Sequence, residues 1–246
     1  MAASGAPQLS VVMPVYNEAD NIRPVLRAVA ASVRTPHEIL VVYDFDEDTT
    51  VPVVRELMAE MPAVRLHRNT LGRGVLNAMK AGMAVASAPH VLVSMADGSD
   101  DLSQVDEMVR LAHSGADLVA ASRYMRGGRQ IGGPLVKRIL SRVAGLTLHW
   151  FGRVPIHDPT NNFKLYSREL LDSVRIESRG GFELAIELSV KATLAGRRLA
   201  EIPTTWRDRT AGESRFKFRA WLPLYLRWYA YLYRGRLLRL LGRPVP

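Results

Sequence analysis

The sequence predicts an α/β fold in which a mostly parallel sheet carries helices on both faces. Four apolar runs of strand length alternate with four helical stretches in the first half of the chain, and this alternation is typical of βαβ units. The length of 246 residues and the hydrophobic share of 48% suffice for one large domain with a sizeable core. The chain has no cysteine, which excludes a disulfide framework and a thiolate metal site.

The predicted elements follow one another in a regular order. Strands are expected at 9–16, 38–43, 90–95 and 117–122, where apolar residues run together. Helices are expected near 19–32, 50–61, 74–87 and 101–114, where apolar residues recur at helical spacing. In a sheet of this kind, ligands bind beyond the carboxyl ends of the strands.

Polar residues stand at three of these predicted strand ends. Asn17 and Glu18 follow the first strand, acidic residues at 44–48 follow the second, and the stretch "VSMADGSDD" at 93–101 closes the strand at 90–95. Close carboxylates repel one another, so this stretch is either a solvated turn or a site near a cation. The repetition at corresponding strand ends favours a metal and anion site.

Two further stretches keep more than one interpretation. Gly72 and Gly74 precede a predicted helix and could bring backbone amides near a phosphate, or form a plain loop at the helix start. Glu183 and Glu187 lie four residues apart and so share one helix face. A solvated face is the expectation for this pair.

Seven stretches, in order, resemble the family-2 inverting glycosyltransferases, and most closely their polyprenyl (dolichyl) phosphate mannose synthase group. They are "VVMPVYNEADNI", "GRGVLNAMKAGM", "MADGSDD", "GADLVAASRYMRGG", "DPTNNFKLYSREL", "GFELAIELSVKATLAG" and "EIPTTWRDRTAGESRFKF", between about residues 9 and 218. The resemblance implies a GT-A fold, a nucleotide-sugar donor, and a Mg²⁺ or Mn²⁺ cofactor. It also implies transfer of a hexose to a polyprenyl phosphate, with mannose from GDP-mannose expected.

The resemblance also assigns roles to individual residues. Asp97 matches the metal aspartate, with Ser99 and Asp100 as further oxygen ligands, and Asp97, Arg123 and Arg209 are expected at the reacting centre. The acceptor phosphate is expected on Arg123, Lys137 and Ser141. The expected donor-binding residues are Pro14, Tyr16, Glu18, Asp44, Ala96, Asp97, Arg209 and Arg215.

Two short segments depart from the family pattern near the donor. Tyr43-Asp44-Phe45-Asp46 stands where the family usually has Asp-Asp-Gly-Ser, and Met95-Ala96-Asp97 stands where it usually has Asp-Ala-Asp. Both departures remove a carboxylate from the expected donor pocket. They leave metal binding open through Asp97, and an inactive site is the alternative.

The chain divides into a predicted catalytic domain, 1–218, and a basic tail, 219–246. From Arg207 onward the chain has ten basic residues and two acidic ones, so this end carries +8 of the net charge of +9. The uncharged runs of the tail are shorter than the roughly 20 apolar residues of a membrane span. We expect an amphipathic helix at a membrane interface or on a partner, with Trp221, Trp228 and four tyrosines at headgroup depth; packing on the protein's own core is the alternative.

The expected partners are a nucleotide sugar, a polyprenyl phosphate, and either a membrane surface or a separate membrane subunit. The expected location is the cytoplasmic face of a membrane, because "MAASGAPQ" shows no signal-peptide pattern. One alternative is the same fold with a UDP-sugar donor and a soluble or polysaccharide acceptor. The other alternative is a non-catalytic module whose basic tail binds nucleic acid. The leading interpretation expects no nucleic-acid partner.

Overall fold

The structure is a computed structural model that describes residues 5–208 and 218–243. Its strands are β1 (Leu9–Pro14), β2 (His37–Tyr43), β3 (Val64–Arg68), β4 (His90–Val93), β5 (Leu118–Ser122), β6 (Arg129–Ile131), β7 (Lys164–Ser167), β8 (Leu199–Pro203) and β9 (Thr205–Arg207). Its helices are α1 (Ala19–Ser32), α2 (Thr50–Met58), α3 (Val75–Val85), α4 (Val105–His113), α5 (Leu135–Trp150), α6 (Arg168–Ser173), α7 (Leu184–Leu194) and α8 (Phe218–Leu240).

Seven of the described strands form one sheet in the order β3-β2-β1-β4-β7-β5-β8. Every pair in it is parallel except those that β7 makes with β4 and β5. The chain runs from β1 to β2 and β3 on one side, and then returns to place β4 on the other side of β1. The resulting switch point between β1 and β4 is where sheets of this class bind ligands.

The predicted mostly parallel sheet is confirmed. The four expected strands and four expected helices are present, with the helix near 101–114 opening as a 3₁₀ turn at Leu102–Gln104 before α4. The sequence analysis did not predict β3, in which only Val64 is fully buried, or the antiparallel β7. The short parallel pair of β6 and β9 was also not predicted.

Two apolar clusters cover the two faces of the sheet. On one face α1, α2 and α4 contribute side chains such as Ile22, Val51 and Met108. On the other face α3 and α7 pack with side chains such as Met79 and Leu188. Burial of both sheet faces explains why the strands of the parallel part read as continuous apolar runs.

The helix α8 belongs to the second cluster. Trp228 and Leu232 are 0% exposed and pack there, while Tyr225, Tyr229 and Tyr231 are partly buried against it. The prediction that Trp228 lies at headgroup depth is therefore wrong, because this face of α8 packs on the protein's own core. The division of the chain at residue 218 stays a prediction. No helix in the described ranges has the length and apolar content needed to cross a bilayer.

Candidate active site

One large cavity lies at the carboxyl edge of the sheet. Its volume is about 1430 Å³, and it extends from the ends of β1 and β2, past β4, to the end of β5 and the facing helices α5 and α8. Four inter-strand spacings separate β2 from β5, or about 19 Å at ~4.8 Å each. The sheet order therefore arranges the predicted site residues in a line.

The cavity brings together every predicted site residue that the structure describes. These are Pro14, Tyr16, Glu18, Asp44, Ala96, Asp97, Ser99, Asp100, Arg123, Lys137 and Ser141. Arg209 and Arg215 lie outside the described residues. The individual roles given to these side chains stay predictions, but their common location is a finding.

At the β2 end, Asp44 anchors the loop that precedes α3. Its two carboxylate oxygens accept hydrogen bonds from the Asn69 side-chain amide and from the Gly74 backbone N–H, each at 2.7 Å. The Gly74 amide, which the sequence offered as a phosphate donor, is thus already bonded to a carboxylate. The structure favours the plain-loop interpretation of the 72–74 stretch.

Two of the acidic residues in the predicted clusters serve the backbone instead of the cavity. Asp48 is buried and accepts hydrogen bonds from the backbone N–H groups of Asn17, at 3.1 Å, and Thr50, at 2.8 Å. Asp101 accepts from the Ser103 backbone N–H at 3.3 Å at the start of the 3₁₀ turn. For these two residues, the ordinary turn interpretation is correct.

Asp97 and Asp100 form the acidic centre of the cavity. The Asp97 carboxylate accepts the Ser99 backbone N–H at 3.1 Å, and Asp100 accepts the Met95 backbone N–H at 2.9 Å and the Ser94 hydroxyl at 3.1 Å. Burial raises the pKa of Asp100 to about 7, and the neighbouring charge of Asp97 adds to this increase. A nearby cation would remove that repulsion.

Arg123, at the end of β5, is fixed by a buried carboxylate. Its Nε donates to Asp158 Oδ2 at 2.7 Å and its Nη2 to Oδ1 at 3.0 Å, with a further bond from Nη2 to the Thr160 hydroxyl at 2.9 Å. Burial alone would raise the pKa of the Asp158 carboxyl, but the charge and hydrogen bonds of Arg123 hold it below its usual value. In the described part of the chain, Nη1 of Arg123 has no hydrogen-bond partner.

Lys137 and Ser141 lie one turn apart on α5 and both line the cavity. The Ser141 hydroxyl is hydrogen-bonded to the Tyr124 hydroxyl and donates to the Arg138 carbonyl at 3.2 Å. The guanidinium of Arg123 lies over the Tyr124 ring, with Cζ 4.9 Å from its centroid. The end of β5 and the first turns of α5 thus form one polar cluster of two cations and two hydroxyls.

Beyond this cluster the cavity becomes apolar between α5 and α8. Tyr229 joins the two helices, since its hydroxyl donates to the Ala144 carbonyl at 2.7 Å and lies 2.9 Å from the Thr147 hydroxyl. The apolar lining at this end comprises Leu140, Val143, Ala144, Leu222, Tyr225 and Leu226. Leu222, Leu226 and Val143 are also exposed at the protein surface, so the apolar end opens outward.

The expectation of a solvated face for Glu183 and Glu187 is wrong. The two side chains are 1% and 0% exposed. Glu183 accepts the backbone N–H groups of residues 179–181 at 2.7–2.8 Å, and Glu187 pairs with Lys191 at 2.9 Å. These carboxylates fix the loop before α7, whose Gly180 and Phe182 line the cavity.

Sequence reasoning missed three features of the site. It gave no role to Asp158, which holds Arg123, or to Arg73, which lines the cavity at the β2 end. It expected Tyr225 and Tyr229 of α8 at headgroup depth, and the structure places both in the cavity lining. The polar stretch "DPTNN" indicated that Asp158 could have a functional role. Nothing in the sequence indicated which residue it would pair with, because Arg123 lies 35 positions earlier.

Comparison with known proteins adds a family match. The profile described as "Glycosyl transferase family 2" matches residues 10–175. The chain is 27% identical to the dolichol-phosphate mannosyltransferase of Pyrococcus furiosus, over 85% of this chain and 59% of that one. It is 31% identical to the polyprenol monophosphomannose synthase of Mycolicibacterium smegmatis, over 83% of this chain and 79% of that one.

A solved structure shares the fold. The crystal structure of glucosyl-3-phosphoglycerate synthase from Mycobacterium tuberculosis in complex with Mg²⁺ and UDP matches with a TM-score of 0.65 and 20% sequence identity. The match covers 97% of this chain and 80% of the other. The likeness supports the GT-A architecture.

Proposed function

Because the chain belongs to glycosyl transferase family 2, we propose that it is an inverting hexosyltransferase that moves mannose from a nucleoside diphosphate to a polyprenyl phosphate. One observation carries this proposal: a single cavity joins an acidic centre and a cation cluster at the sheet edge to an apolar channel between α5 and α8, in that order. The acidic centre suits the cation that accompanies a nucleotide sugar. The cation cluster suits the acceptor phosphate, and the apolar channel suits a polyprenyl chain. The names of the two relatives given above refer to dolichol phosphate and to polyprenol monophosphomannose.

The acidic centre fits a divalent cation that shares its coordination with a diphosphate. Mg²⁺ commonly takes one or two protein carboxylates together with substrate phosphates. Asp97 would hold the ion, and Ser99 and Asp100 are the nearby oxygen donors. In residues 5–208 and 218–243 no group of three or more His, Asp or Glu side chains could hold a metal, so the substrate would complete the shell. When bound, such a cation supplies Lewis-acid stabilisation of the departing diphosphate.

The chain's own residues would act mainly by positioning the acceptor. A phosphate monoester is already ionised near neutral pH, so its oxygen can attack the anomeric carbon without a general base. Arg123 and Lys137 would hold that phosphate, and the rigid Asp158 bridge would fix the direction of the guanidinium. The new bond forms from the phosphate oxygen to the anomeric carbon, while the bond to the nucleoside diphosphate breaks with its electron pair.

The apolar end would receive the polyprenyl chain at a membrane surface. We name the α5–α8 apolar surface by its exposed members: Leu135, Val136, Ile139 and Val143 of α5, with Leu226, Leu237 and Leu240 of α8. Arg142 and Arg239 are exposed on the same two helices, and basic residues beside apolar ones favour an anionic bilayer. Peripheral membrane contact through this surface is part of the proposal.

The experiment is a panel of nucleotide sugars incubated with polyprenyl phosphate and Mg²⁺, followed by organic extraction. We expect labelled sugar in the organic phase with GDP-mannose, and none when Mg²⁺ is removed by a chelator. If labelled sugar appeared only in a soluble or polysaccharide product, and none reached the organic phase with any donor, the lipid-phosphate acceptor would be wrong. The alternative acceptor would then be favoured.

A further inference from the structure

Three side chains at the β1–β2 end of the cavity pack on one another. The Phe45 ring centroid lies 5.6 Å from that of Tyr16, with the ring planes at 63°. The Arg73 Cζ lies 4.9 Å from the Phe45 centroid, over the ring. Tyr16 and Arg73 line the cavity, whereas Phe45 does not. Phe45 therefore supports two cavity-lining side chains from behind.

The backbone around Arg73 holds this arrangement in place. Gly72 and Gly74 flank it with φ angles of 100° and 124°, which side chains with a Cβ rarely adopt. Asp44 ties the same loop down through its 2.7 Å bonds to Asn69 and Gly74. The direction of Arg73 is thus set by its loop and by cation–π contact with Phe45.

The Arg73 guanidinium has donors left for a ligand. Across residues 5–208 and 218–243 the Arg73 side chain stacks on Phe45 and makes no hydrogen bond and no ion pair. Its N–H groups form a planar fork that suits two adjacent acceptor atoms. Guanine presents such a pair in O6 and N7, whereas adenine pairs an acceptor with a donor and pyrimidines lack the pair.

We propose that Arg73, braced by Phe45, selects a guanine base in the donor nucleotide. This inference rests on the proposed function, because it takes the β1–β2 end of the cavity as the nucleotide end. Phe45 stands where the resemblance expects glycine, so the brace is a feature of this chain. Arg73 is the specificity-determining residue, and Phe45 is a positioning residue that acts through it.

The test is calorimetric binding of GDP, UDP and ADP to the full chain with Mg²⁺. The parent should prefer GDP, and Arg73→Ala should lose about tenfold in GDP affinity with UDP affinity unchanged. Arg73→Lys, which keeps the charge and loses the fork, should lose GDP preference as well. Arg55→Ala is the matched control, since Arg55 is exposed on α2 and does not line the cavity.

Two results would overturn the assignment. Equal losses of GDP and UDP affinity in Arg73→Ala would place Arg73 on the shared diphosphate, and a parent that does not prefer GDP would remove the guanine site. Because Arg73 is exposed on a loop, its substitution should leave the melting temperature unchanged. A milder Phe45→Leu variant should reduce the preference for GDP in part. An unchanged preference for GDP in Phe45→Leu would contradict the positioning role of Phe45.

These binding measurements use no lipid, so they separate this inference from the proposed function. GDP preference that depends on Arg73 supports the base assignment even when no lipid product forms. Transfer to polyprenyl phosphate from a UDP-sugar, unaffected by Arg73→Ala, would leave the proposed acceptor standing and overturn the guanine assignment.

Discussion

Replacing Asp158 with asparagine should both destabilise the fold and weaken acceptor binding. The Asp158 carboxylate accepts three hydrogen bonds from Arg123, donated by its backbone N–H, Nε and Nη2. It accepts two more from the Thr160 hydroxyl and the Asn161 backbone N–H. Two of the five go to Oδ2 and three to Oδ1. Whichever way an asparagine amide turns, its NH₂ would therefore face at least two donors.

The magnitude follows from burial. Asp158 is 0% exposed and the Arg123 side chain only 9%, and breaking such a pair from one side costs about 3–5 kcal/mol. In a chain of this length, 1 kcal/mol shifts the melting temperature by roughly 2–4 °C. We therefore expect Asp158→Asn to melt on the order of 10 °C below the parent.

The assay combines thermal unfolding with steady-state kinetics. The KM for polyprenyl phosphate should rise, because Arg123 loses its fixed direction, while donor affinity measured by calorimetry should stay close to that of the parent. Asp172→Asn is the matched control, since Asp172 is exposed and does not line the cavity. An unchanged melting temperature and an unchanged acceptor KM in Asp158→Asn would refute the account of the Arg123–Asp158 pair.

Three further changes have expected outcomes. Asp97→Ala should abolish transfer and remove Mg²⁺-dependent tightening of nucleotide binding without lowering the melting temperature; unchanged turnover would contradict the metal assignment. Glu38→Gln should flatten the fall of unfolding free energy as the pH drops below about 5. Burial opposes ionisation of Glu38, but hydrogen bonds from Ser87 and Ser10 hold its pKa below the usual value. Its stabilisation is therefore present above its unfolded pKa and is lost as the pH falls through the lowered folded pKa. An equally steep fall in both proteins would contradict this. Leu237→Glu combined with Leu240→Glu should reduce flotation with anionic liposomes severalfold with GDP affinity unchanged; undiminished flotation would remove the α5–α8 apolar surface from the membrane.

The parallel half of the fold could be predicted because each strand is buried on both faces. Runs such as 9–16 and 38–43 then have no polar alternation, and the helices between them show their own period. The strand β7 could not be predicted in the same way. Its four residues include Lys164, which is buried and donates to the Asp158 carbonyl at 3.1 Å, so a central strand contains an ionisable side chain that only the tertiary structure explains.

The candidate site could be predicted where a residue's own position carries the signal. Arg123 follows directly after β5, and Asp97 lies four residues after the last residue of β4, so the fold alone brings them to one edge. The acidic residues were harder to interpret, because a carboxylate that binds a loop and one that faces a cavity have the same sequence. Asp48 and Glu183 bind backbone N–H groups, and that role depends on contacts that no spacing rule indicates.

The tail shows the same limit. Its aromatic and basic residues are typical of an interfacial helix, yet Trp228 packs at 0% exposure while Leu240 is 85% exposed. Which face of α8 meets the core depends on its packing against α7. The sequence predicted an amphipathic helix but placed Trp228 on the wrong side of it.

The most direct test of the central claim compares two acceptors that differ only in the phosphate. Labelled sugar from the nucleotide donor is offered, with Mg²⁺, to a polyprenyl phosphate and to the free polyprenol of equal length. If Arg123 and Lys137 position an ionised acceptor that needs no general base, labelled lipid should form with the phosphate and not with the alcohol. Equal labelling of the alcohol, or labelling of a soluble acceptor with the lipid phosphate inert, would contradict the account.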